Sequence, residues 1–128
     1  MIASYQLPNY WTWKVFLCVI EDDCTIQDVY DFYKLKHSLD FSGIETAVPC
    51  CLIDEHSMSA VICLKNWKKS NFNISLLVHE VMHLLIAISD VSGCEMNNHT
   101  TECWAYSMQS FIETILDVLD EKEKARCS

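Results

Sequence analysis

Five consecutive residues, His79-Glu80-Val81-Met82-His83, carry the clearest chemistry in the chain. Two histidines four positions apart share one face of a helix, one turn from each other, so both imidazoles can reach a single metal ion. Glu80 projects beside them, where its carboxylate can take a proton from an attacking water. The pattern HExxH arises in a shuffled chain of this composition only about one time in a hundred. The flanking residues strengthen it. From Ile74 to Ile88 the segment is apolar almost all round, as expected of a helix at the centre of a domain. At that length, and interrupted by His and Glu, it reads as too short to span a bilayer. Buried His and Glu side chains must be satisfied, because unpaired buried polar groups are costly. One metal ion satisfies all three. The bland alternative is a pair of core histidines bonded to backbone, with Glu80 facing water.

A catalytic zinc takes three protein ligands and keeps the fourth position open. Asp90, Glu95, His99 and Glu102 follow the motif and are the candidates for the third. Asp90 lies seven residues beyond His83, roughly 10 Å along a helix. Glu95 and His99 fall in a turn. Glu102 opens a second helix that can pack back on the first, and rigid helices hold ligands better than loops. Ala105 is small enough to let two helices approach, and Tyr106 shares the Glu102 face and can bond a substrate oxyanion. Glu102 is the expected ligand, with His99 its rival; Glu102 as a mere complement to the helix dipole is the bland reading.

HExxH followed by Glu102-Cys103-Trp104-Ala105-Tyr106 resembles the gluzincin arrangement. More narrowly, Leu77 through Leu85 with that later segment resembles small phage-encoded HExxH metallopeptidase-like proteins. The likeness covers about residues 60–115. A weaker similarity is to zinc peptidases that act on repressors. The resemblance implies a minimal zincin-like domain, zinc held by His79, His83 and Glu102, Glu80 and Tyr106 as catalytic residues, a peptide or protein substrate, and a phage gene product acting in the bacterial cytoplasm. One position departs from the pattern. Several gluzincins carry Asp four residues after the ligand Glu, and Tyr106 stands there instead.

The 128 residues suit one domain with one core. Half the chain is hydrophobic, with 2 Gly and 2 Pro, a globular composition. The net charge of −9 argues against a phosphate backbone as partner, and no membrane is expected. Eight cysteines raise the question of disulfides. No secretory pattern opens the chain and most cysteines sit in apolar runs, so they read as reduced and the compartment as cytoplasmic. No CxxC pair suggests a second zinc site.

The elements that must position the motif read as an α+β fold: a small three-stranded sheet packed against the HExxH helix and a C-terminal helix. Residues 11–20 read as a strand. Thr25 caps a helix to about His37, with Asp28 three residues on and Ile26, Val29, Tyr30 and Tyr33 on its apolar side. Residues 38–46 read as loop. Residues 47–53 and 60–64 form a hairpin around a polar turn, and 61–64 is the expected edge that aligns a substrate. Asn71 or Asn73 caps the HExxH helix, which ends near Ser89 with Gly93 beyond it. Asn98 or Thr100 caps a last helix over about 101–122. A second class of function stays open: a metal-stabilised, non-catalytic protein that binds a host or virion protein through its Trp and Tyr surface, although Trp residues are more often core. A cysteine enzyme has no local motif in its favour.

Overall fold

The computed structural model describes residues 1–41 and 47–127. Residues 42–46 of the expected loop lie outside the described residues. Chain order is β1 (Ile2–Leu7), β2 (Lys14–Ile20), α1 (Ile26–His37), β3 (Cys50–Asp54), β4 (Ser59–Lys65), α2 (Asn71–Ser92) and α3 (Thr101–Cys127). The fold is α+β, as the sequence suggests, but the sheet has four strands rather than three, in the order β1-β2-β4-β3.

The added strand is β1, which pairs antiparallel with β2 from Ile2 opposite Ile20 to Leu7 opposite Val15. The expected strand over 11–20 is shorter at its start because residues 8–13 form the β1–β2 connection. Asn9 holds that connection: its Nδ2 donates to the Trp13 carbonyl at 2.8 Å and its Oδ1 accepts from the Trp11 amide at 3.0 Å. β3 and β4 form the expected antiparallel hairpin. β4 also runs parallel to β2, Phe16 beside Val61 and Cys18 beside Cys63. A parallel pair needs a crossover, and α1 supplies it. Residues 61–64 are therefore interior to the sheet, not its edge; β3 and β1 are the edges.

Both faces of the sheet are covered, which explains why β2 and β4 read as continuous apolar runs. On one face Phe16, Cys18, Ile20, Val61, Cys63, Cys50 and Leu52 pack on α1 through Val29, Tyr30 and Tyr33. On the other, Val15, Leu17, Val19, Cys51, Ile62 and Leu64 pack on α2 and α3 through Leu77, Val81, Leu84, Ile88, Phe111, Ile115 and Leu119. The strand period of two sorts these sets automatically. α2 lies over β3 and β4, whereas α3 reaches β1.

The helix ends follow local chemistry. α1 begins with the expected capping box, Thr25 Oγ1 accepting from the Asp28 amide and the Asp28 carboxylate accepting from the Thr25 amide. α2 is capped by Ser70, not by Asn71 or Asn73: Ser70 Oγ accepts from the Asn73 amide at 3.1 Å. α2 also runs past Ser89 to Ser92, where Gly93 closes it at φ 74° with its amide donating to the Ser89 carbonyl. At 22 residues α2 is longer than its sequence suggests, and by length and composition alone it could cross a membrane. One side of it, through Leu77, Val81, Leu84 and Ile88, packs in the core. α3 runs five residues beyond its expected end, to Cys127.

Candidate metal centre

α2 has two working flanks. Met82 and Leu85 face the crevice toward α3, together with Met96, Thr101, Trp104, Ala105 and Met108. His79, Glu80 and His83 face the opposite way, toward β3. The 100° step between successive helical residues sets this division. The apolar positions Leu77, Val81, Leu84 and Ile88 anchor α2 on the sheet between the two flanks.

On the β3 flank, one donor atom from each of His79, Glu80 and His83 lies within 4.8 Å of the others, a group that can hold a metal ion. The two Nε2 atoms are 3.2 Å apart, and the rings meet at 74° with centroids 4.8 Å apart. Two nitrogen ligands bound at about 2.05 Å in tetrahedral geometry stand about 3.3 Å from each other. The spacing matches two nitrogens on one shared ion, and without an ion it is that of a hydrogen bond between the two rings. The histidines are exposed, while Glu80 is only 7% exposed. A buried carboxylate beside two solvent-facing imidazoles is an arrangement for a proton acceptor close to an accessible ion.

The hollow in front of this group measures about 330 Å³ and is lined by Pro49, Cys50, Cys51, Ile53, His79, Glu80 and His83. Its non-helical wall comes from β3 and the residue before it, upstream of the motif. The sequence gives no spacing signal for that wall, because the β3–β4 hairpin and not a fixed interval brings it to α2.

Other candidate residues lie elsewhere. Glu102 is exposed in the first turn of α3 and is not a member of the His79–Glu80–His83 group. Two features keep it away. α2 continues nine residues past His83, about 13 Å along its axis. α3 then packs on the flank of α2 opposite the histidines. Tyr106 is 66% exposed and lines a separate hollow with Tyr10, Cys103, Ser107 and Ser110. His99 sits in the α2–α3 turn, where its amide donates to Asn97 Oδ1 at 2.8 Å. Asp90 and Glu95 are exposed and outside the group as well.

α3 is held in its place by residues that carry no motif. Trp11 stacks on Trp104 with centroids 4.7 Å apart and planes within 6° of parallel, and Trp11 Nε1 donates to Ser107 Oγ at 3.0 Å. Trp11 thereby ties the β1–β2 connection to the C-terminal helix. Compared with protein-family models, with curated proteins and with solved structures, the chain matches none.

Proposed function

We propose that this chain is a zinc-dependent hydrolase of the metallopeptidase kind, with His79 and His83 as ligands and Glu80 as general base. The observation that carries the reading is the 3.2 Å spacing of the two Nε2 atoms beside the buried Glu80 carboxylate. When bound, zinc supplies a Lewis acid that polarises a carbonyl and acidifies water. Glu80 accepts the proton of the attacking water and returns it to the leaving amine nitrogen. His79 and His83 would hold the ion, and both side chains are exposed on the face that a substrate would approach. β3, the sheet edge beside the histidines, is the strand along which an extended peptide would lie. A phage gene and the bacterial cytoplasm are the setting that the sequence resemblance carries with it.

The test is digestion of a mixed peptide library, read by mass spectrometry, with zinc-loaded protein, chelator-stripped protein and Glu80→Gln. Cleavage by the loaded protein alone supports the reading, and loss of the base should cost about 10²–10⁴-fold in rate. Equal cleavage by Glu80→Gln with its metal retained would sink the mechanism.

A second reading has one observation behind it. Val78, Met82 and Ile86 are each about two-fifths exposed and follow one another at four-residue steps along α2. An apolar stripe of this kind suits a protein partner. On that reading the metal stabilises a surface that binds and does not cut. Stoichiometric capture of a library peptide without cleavage would favour it.

A further inference from the structure

The His79–His83 pair supplies two ligands, and the structure leaves Glu102 on the far flank of α2. The hollow in front of the pair offers another donor. We propose that Cys51 is the third ligand, so that the metal centre is His79–His83–Cys51 with Glu80 beside the open position. The proposal rests on the metal-site reading given above.

Three observations lead to Cys51. It lines the same hollow as His79, Glu80 and His83. The alternation of β3 turns it to the α2 side of the sheet, where it packs in the cluster of Leu77, Val81 and Leu84. Its neighbour Cys50 lines the hollow too but belongs to the α1 side. There the hydrogen bond from Cys18, the one from Cys50 and burial push the Cys63 thiol up. Of the two adjacent thiols, only Cys51 is on the metal side.

The chemistry suits the donor. Thiolate and imidazole together are the ligand set that zinc accepts most readily, with a Zn–S bond near 2.3 Å, longer than Zn–N. Cys51 Sγ stands outside the tight group formed by His79, Glu80 and His83. Closure onto an ion therefore requires the Cys51 side chain to move toward the histidines. Binding is a proton exchange: the Cys51 S–H bond breaks, the proton leaves to solvent and the sulfur lone pair binds the ion. A β-strand donor upstream of the helix would also set the geometry rigidly, since β4 pairs with β3 along its whole length.

The test uses the reduced, metal-stripped full chain titrated with cobalt(II), alongside Cys51→Ser, Cys50→Ser, His79→Ala and Glu102→Ala. Wild type should bind one ion per chain and show the near-ultraviolet band of thiolate-to-cobalt charge transfer. Cys51→Ser should lose the band and bind more than about 100-fold more weakly, because even outer-shell partners of a ligand cost 10–100-fold. Cys50→Ser and Glu102→Ala should keep both. X-ray absorption at the zinc edge of the unmutated protein gives the same answer if Cys51→Ser fails to fold: one sulfur and two imidazole nitrogens are expected. A bound ion with no sulfur neighbour, or an unchanged band in Cys51→Ser, overturns the Cys51 assignment and leaves the histidine site standing. Absence of any bound ion in wild type, as in His79→Ala, overturns the site itself.

Discussion

The Nε2 atoms of His79 and His83 lie 3.2 Å apart across one turn of α2, the separation that two imidazoles adopt on a single tetrahedral ion. A cation held there would draw on a lone pair of each ring and so tie the two ends of that helical turn together. Metal binding would thereby add to the stability of the fold.

Removing one imidazole should therefore separate metal binding from folding. His83 is exposed, so His83→Ala should change the stability of metal-free protein by no more than about 0.5 kcal/mol. Wild type with zinc at a hundred times its dissociation constant should gain about 2.7 kcal/mol. That gain is a rise in melting temperature of roughly 5–15 °C for a domain of this size, absent in His83→Ala. Calorimetric melting of both proteins, with zinc and with chelator, checks it. A zinc-dependent rise of equal size in the variant would place the ion elsewhere.

Glu102→Gln should leave metal stoichiometry and affinity unchanged, because α3 carries Glu102 on the flank of α2 away from the histidines. Elemental analysis after dialysis against a graded chelator reads this directly. A drop in bound metal would mean that α2 and α3 repack when the ion binds.

Gly93→Ala should destabilise the chain by about 1–2 kcal/mol. Gly93 closes α2 at φ 74°, a conformation that a side chain disfavours. A Cβ there meets nothing within 4 Å, so the cost is conformational and not steric. Denaturant unfolding should show a lower midpoint with an unchanged slope. A neutral result would mean that the α2 terminus relaxes out of its left-handed turn.

Leu84→Ala should cost about 2–5 kcal/mol, since Leu84 is fully buried between α2 and the sheet. The same variant should bind zinc with normal stoichiometry while folded, because His83 beside it is exposed and turned about 100° away. A large fall in stability with intact metal content, measured by chemical unfolding and elemental analysis on one preparation, would separate the two sides of the helix. A loss below 1 kcal/mol would contradict the packing.

The sequence makes legible whatever rests on local rules. Thr25 and Asp28 announce the α1 capping box, the polar run from Asp54 to Ser59 announces the hairpin, and the i, i+4 histidines announce a face that can hold a metal ion. Features that rest on distant partners stay hidden. β1 has no apolar run of its own and becomes a strand only because β2 presents an edge to it. The parallel pairing of β2 with β4 joins residues more than forty positions apart. The α2 cap falls on Ser70 because its hydroxyl reaches the Asn73 amide, where either asparagine would have read as well. The position of α3, and with it the separation of Glu102 from the histidines, depends on Trp11 stacking on Trp104. No spacing within the motif region encodes that contact.

The parallel β2–β4 pairing has a consequence for how the chain matures. β1 and β2 are adjacent in sequence and can pair as soon as they exist, but β2 then shows an open side until β4 arrives. The open strand reads Val15-Phe16-Leu17-Cys18-Val19-Ile20, a β-prone window without charge or proline. About forty residues must follow before its partner is made, two or more seconds of ribosomal synthesis at common rates. During that interval the nascent chain offers other chains a template for intermolecular strand pairing. Yield on expression should therefore depend on how fast synthesis passes α1 and the hairpin, and slower translation there should divert chains into aggregates before His79, Glu80 and His83 are ever brought to β3.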